Sequence, residues 1–227
     1  MSALGLLALS GALFVGTHFA MSHPLRAGLV RGLGERGFML TYVAVSLVTF
    51  YGITRFYGSA SIETPVPLWP VGSAVWIVAT VLMWVGSVLF IGSLRNNPAF
   101  PTGGAPVKRV GAPRGVFAIT RHPMMWGFAL WALVHALVNP TPASLTVSTT
   151  IAILALGGAA GQDAKKSKLI GPPWAEWRAS TSFVPFGKGF ALPDGFALVG
   201  GTLLWLAATY AHGALGYRPA GVWAFFA

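Results

Sequence analysis

Apolar residues run along this chain in six long blocks, about 3–21, 38–54, 71–94, 124–139, 143–160 and 196–215, with nearly all the charge between them. A helix needs roughly 20 such residues to cross the hydrocarbon core of a bilayer. The pattern therefore predicts an all-α, polytopic bundle of about six transmembrane helices, forming a single domain over residues 1–227. The fourth and fifth blocks are the shortest, and Asn139-Pro140-Thr141-Pro142 predicts a tight turn between them. The first block has no Lys or Arg before Arg26 and so lacks the basic start of a signal peptide. It is read as a retained span.

Charge adds an orientation. The loops after the first, third and fifth blocks hold 13 of the 15 Lys and Arg residues, including Arg26, Lys108, Arg109, Arg121, Lys165 and Lys166; only Arg55 and Arg218 fall on the other side. The positive-inside rule places those loops in the cytoplasm, and both termini on the non-cytoplasmic side of a bacterial inner membrane. The third loop, rich in Pro and Gly, is expected to lie over the cytoplasmic mouth. In the fifth, residues 162–190 are read as a cytoplasmic amphipathic segment. A short helix begins there at Pro172-Pro173, with Trp174 and Trp177 at headgroup depth. The apolar tail, 221–227, is expected to rest at the outer interface.

Composition agrees with this class. The chain is 55% hydrophobic and 9% charged, where a soluble domain carries about 25% charge. A net charge of +10 would suggest nucleic acid, but the basic residues sit between apolar blocks and set topology. The partners expected are the lipid bilayer and hydrophobic molecules, not nucleic acid. With no cysteine, disulfides and thiolate chemistry are excluded.

Candidate chemistry concentrates in Gly115–Asn139, GVFAITRHPMMWGFALWALVHALVN. An ionisable side chain inside a span is a functional hypothesis by default. His135 closes a helical stripe of Met124, Phe128 and Trp131, whereas His122 lies 13 residues earlier, on another face about 20 Å away along the axis. His18 is the only histidine inside the first block, with the small residues Ser10 and Gly11 near its face. Each could be a hydrogen-bonded core residue. Two neutral imidazoles with aromatic walls and no acid inside any block nevertheless suit the axial positions of a haem, and suit zinc poorly. The expectation is a haem between His18 and His135, with His122 as the fallback partner on depth. Trp131 and Phe128 would wall the pocket. Arg121 would pair with a propionate, or merely set topology. His23 and His212 are read as hydrogen-bonded residues without a ligand.

The string ITRHPMMWGFALWALVHALVN, a histidine in the first block and the later TSFVPF resemble the NnrU family of bacterial membrane proteins. They are also similar to the 15-cis-zeta-carotene isomerases that share its domain. The resemblance implies a b-type haem. For the isomerase branch it implies a redox-dependent cis-to-trans isomerisation of a polyene, with a hydrophobic polyene substrate and an electron donor as partners. The NnrU branch is linked to denitrification and nitric-oxide metabolism. The isomerases' axial histidines match His18 and His135, and their RHP histidine matches His122. Ala132 stands where they carry a cysteine. Arg121-His122-Pro123, followed by Gly127, also resembles isoprenylcysteine and phospholipid methyltransferases, which implies adenosylmethionine as an alternative cofactor. Met125 replaces their Tyr, and Lys165 and Lys166 stand near their acidic pair.

Overall fold

The computed structural model describes residues 1–98 and 111–225. Most of the third loop, with Lys108 and Arg109, lies outside the described residues, as does the end of the tail. Eight α-helices follow in order: α1 (Ala3–Ser22), α2 (Arg26–Glu63), α3 (Ser73–Gly92), α4 (Val116–Ile119), α5 (Pro123–Val138), α6 (Pro142–Ile170), α7 (Pro172–Ser180) and α8 (Gly195–Ala214), with a 3₁₀ turn at Val222–Phe225. Among the described residues there is no strand, only one isolated bridge between Gly187 and Gly189. The all-α expectation holds. Among the described residues four helices, α1, α2, α3 and α6, are long and apolar enough to cross a membrane, and α5 is a shorter apolar helix.

Helix ends follow local chemistry. Ser2, Thr141 and Asp194 cap α1, α6 and α8, each accepting a backbone N–H three residues on. Pro142 and Pro172 stand at first helical positions, where no N–H is needed. Two helices outrun their apolar blocks. α2 begins at Arg26, turns at Gly34 (φ 70°) and continues to Glu63; α6 carries on past residue 160 to Ile170. Chain leaving the hydrocarbon region keeps its hydrogen-bonded ladder until a breaker arrives, and hydropathy does not mark that point. Gly171, with φ 69°, is the breaker that ends α6 and opens α7.

Packing is a chain of neighbours. α1 lies against α2 and α6, α5 against α6 and α3, and α3 against α8. Glycine permits the closest approaches: a Cβ on Gly127 of α5 would meet the Gly86 carbonyl of α3, and one on Gly201 of α8 would meet the Val88 backbone. Outward faces remain apolar and exposed, with Leu40, Leu47 and Val48 on α2 and Val199 and Leu203 on α8. Exposed apolar surface on this scale requires lipid as its solvent. This is an integral membrane protein.

In the 162–190 segment, the two tryptophans expected to meet lipid headgroups pack inward: Trp174 and Trp177 are 0% and 5% exposed, in a core with Val88, Leu89, Val116, Phe117, Ile119 and Ala197. The Gly171 turn folds α7 back beneath α3, α4 and α8. Their indoles fill the bundle's end instead of facing lipid.

Candidate functional site

The His-Pro step and the TSFVPF segment meet in space. The Arg121 N–H donates to Ser182 O at 2.8 Å, and Phe186 N–H to Ile119 O at 2.9 Å. Thr120 Oγ1 donates to Phe183 O at 2.7 Å, and the Trp126 indole N–H reaches the same carbonyl at 2.8 Å. These bonds fix the non-helical residues between α4 and α5 and set the direction of the side chains that follow.

Arg121 and His122 both turn to Asp163 of α6. The guanidinium engages the carboxylate through Nε at 2.8 Å and Nη2 at 2.5 Å, and His122 Nε2–H donates to Oδ1 at 3.0 Å. All three are buried, and the Phe183 ring covers both the guanidinium and the imidazole. Arg121 spends its fork on a carboxylate of the chain itself, and His122 Nε2 is occupied by the same carboxylate, so Asp163 competes for the roles expected of both toward a haem. Asp163 escaped the sequence reading, which looked for acids within the apolar blocks and met only a Lys-rich segment beyond them. The available signal was that Asp163 is one of only five acids in the chain.

His18 faces a cavity of about 360 Å³ between α1, α2, α5 and α6. Phe14, Phe50, Met125, Phe128, Ile151 and Leu154 form its apolar walls, while Ser22, His23, Tyr42, Gln162 and Lys165 line its other end. The His18 ring donates from Nδ1 to Phe14 O at 2.6 Å. A carbonyl can only accept, so the neutral ring keeps its lone pair on Nε2. That atom lies 3.1 Å from Ser46 Oγ, which also sits 2.7 Å from Tyr42 O. Ser46 has one proton for two acceptors, so the hydroxyl that serves His18 Nε2 is shared with Tyr42 O.

Cations gather at the polar end. Arg26, Lys165 and Lys166 lie near enough to repel one another. Arg26 is paired with Glu35, but Lys165 and Lys166 have no ion-pair partner among the described residues. Burial and then the Lys165 ammonium hold the His23 imidazole below its ordinary 6.5.

The structure does not bring His18 and His135 together. Met125 and Phe128 of α5 stand at the level of His18, and His135 is seven to ten residues further along, about 10–15 Å up the helix. Its ring stacks on Trp131 at 3.9 Å and lies 6.3 Å from that of His212. Phe128 thus walls the His18 cavity as expected, whereas Trp131 packs on His135. Helix rise separates the pair more than tilt recovers. Among the described residues no group of three His, Cys, Asp or Glu could hold a metal ion.

The family described as NnrU protein matches residues 6–219, nearly the whole chain. No curated protein and no solved structure matches it.

Proposed function

The chain belongs to the NnrU family, and from that premise we propose a six-span protein of a bacterial inner membrane that binds haem b in the cavity under His18. The six apolar blocks and the one-sided distribution of Lys and Arg support the span count and the non-cytoplasmic termini.

The observation that carries the haem reading is His18 at an aromatic-walled cavity, its Nε2 met only by a Ser46 hydroxyl shared with Tyr42 O. The donor set fits one porphyrin there, though not through the His18–His135 pair. His18 would hold the iron, and Met125 is the cavity residue that could supply a thioether to it. Phe14, Phe50 and Phe128 would exclude water from the group. Lys165 and His23, at the polar end, would hold its carboxylates, with Lys165 acting as a point charge. Bound there, a haem supplies one-electron chemistry.

Of the roles the resemblance carries, an electron-transfer or accessory role in nitrogen-oxide metabolism fits better than isomerisation. A cavity of this volume is at the small end for one ligand, which leaves no enclosed space for a long polyene as well. Ala132 offers no thiol. Methyl transfer has less support again. Asp163 is consumed by Arg121 and His122, and the cavity's polar end presents cations where adenosylmethionine needs acceptors.

The test is a reduced-minus-oxidised absorption spectrum of detergent-purified protein, beside adenosylmethionine binding by calorimetry. A b-type spectrum without adenosylmethionine binding supports the reading; the opposite pair of results overturns it.

A further inference from the structure

Between α7 and α8 the chain turns its apolar side chains outward. Val184, Phe186, Phe190 and Leu192 are all exposed, Phe190 by 82%. So dense an apolar patch marks an interaction surface. The loop's backbone is tied on both sides of its tip. Phe186 N–H donates to Ile119 O at 2.9 Å, Gly187 N–H to Val184 O at 3.1 Å, and Gly189 N–H to Phe186 O at 3.0 Å.

Phe186 has φ 62°, in the left-handed region that a bulky residue rarely adopts. A strained position kept for a large apolar side chain points to a use for its ring. That ring stacks on Phe190, with centroids 5.9 Å apart and planes 11° from parallel. Lys188 lies between the two phenylalanines in the chain and is exposed. It has no ion-pair partner among the described residues. Asp194, the acid that follows, is engaged as the cap of α8.

The neighbouring surface identifies what covers the patch. α8 begins three residues after Leu192, and its Phe196, Val199 and Leu203 share one exposed face that meets acyl chains. Arg95, just beyond α3, places its guanidinium over the Phe196 ring at 4.8 Å. A cation on an aromatic ring at the end of a span belongs at headgroup depth, where the charge reaches phosphate and the ring stays apolar. The loop is joined to α8 at that level and repeats the same pairing, one lysine beside two phenylalanines. Lipid already bathes the adjoining helix, and a lysine without a carboxylate suits an anionic headgroup.

We infer that residues 184–192 form an interfacial anchor for an anionic lipid surface. Phe186, Phe190 and Leu192 sink below the headgroups, and Lys188 rests among their phosphates. The anchor ties to the bilayer the segment that grips Ile119, Thr120 and Arg121. It involves neither the His18 cavity nor a haem.

The chain has no cysteine, so single nitroxide labels can be placed on the full protein through Phe190→Cys, Leu192→Cys, Lys188→Cys and, as a reference in water, Glu176→Cys. All four positions are exposed, and Leu192→Cys keeps the test valid should Phe190→Cys misfold. Each labelled chain is reconstituted in vesicles of phosphatidylcholine and phosphatidylglycerol. Power saturation then compares collisions with oxygen, which concentrates in lipid, and with a nickel chelate, which stays in water. The oxygen-to-nickel ratio at 190 and 192 is expected to exceed that at 176 by about threefold or more, with 188 between them. Omitting phosphatidylglycerol should lower the ratio at 190. A ratio at 190 and 192 equal to that at 176 places the loop in water or against a protein and overturns the proposal. A ratio at 190 that ignores phosphatidylglycerol overturns the assignment to anionic lipid.

Discussion

His122 and Asp163, 41 residues apart in the chain, join through Nε2 and Oδ1 at 3.0 Å, with Arg121 closing on the same carboxylate. The cluster ties the start of α5 to the C-terminal half of α6, and through the Arg121 backbone it also holds the 181–186 segment. Breaking a buried ion pair by deleting one member leaves the other charged and unpaired, which costs about 3–5 kcal/mol. Asp163→Ala should therefore lower the denaturation midpoint sharply in detergent. The triple change Arg121→Leu, His122→Leu, Asp163→Leu should recover part of the loss, because no buried charge is then left alone. A single variant as stable as wild type would show that the cluster carries no such weight.

Trp174 is fully buried although its segment looks interfacial. Truncating a buried Trp costs about 3–5 kcal/mol through lost contacts and the cavity left behind. Trp174→Ala should then destabilise the whole bundle in a thermal melt. A Trp at headgroup depth would give a small change in the melt, with altered lipid partitioning instead.

How much of this the residues announced depends on the distance over which each feature is set. Helix class follows from apolar block length alone, and each block coincides with a helix to within two residues or lies inside a longer one. The interior placement of Trp174 and Trp177 depends on the Gly171 turn and on which surface α7 meets, and amphipathic spacing does not distinguish a core from an interface. His18 and Phe128, expected as ligand and wall of one pocket, line the same cavity because both project from apolar helices into the same bundle. His135, the expected second ligand, lies beside His212 instead. Depth along α5 separates it from His18 by about 10–15 Å, and its contact with His212 depends on how α5 and α8 flank α3. Asp163 was invisible for a related reason: one acid among lysines reads as solvated until α6 is seen to continue past its apolar block.

His23, just beyond α1 and beside the cavity's polar end, gives a pH dependence. Its folded value lies below 6.5, for burial first and Lys165 second, so the unfolded chain binds the extra proton more readily. Stability is then greatest above pH 6.5 and falls as pH drops through 6.5 towards the lower folded value. His23→Gln should flatten that limb of a stability-against-pH curve. An unchanged slope between pH 7 and 5 in His23→Gln would assign the acid sensitivity elsewhere.

The central claim is that His18, without His135, holds a haem in the cavity between α1, α2, α5 and α6. Its most direct test is the Soret absorbance per chain of His18→Ala and His135→Ala, each purified with haem supplied during expression and compared with wild type. The account predicts at least a tenfold loss in His18→Ala and wild-type absorbance in His135→Ala. Equal loss in both variants, or none in His18→Ala, would contradict it.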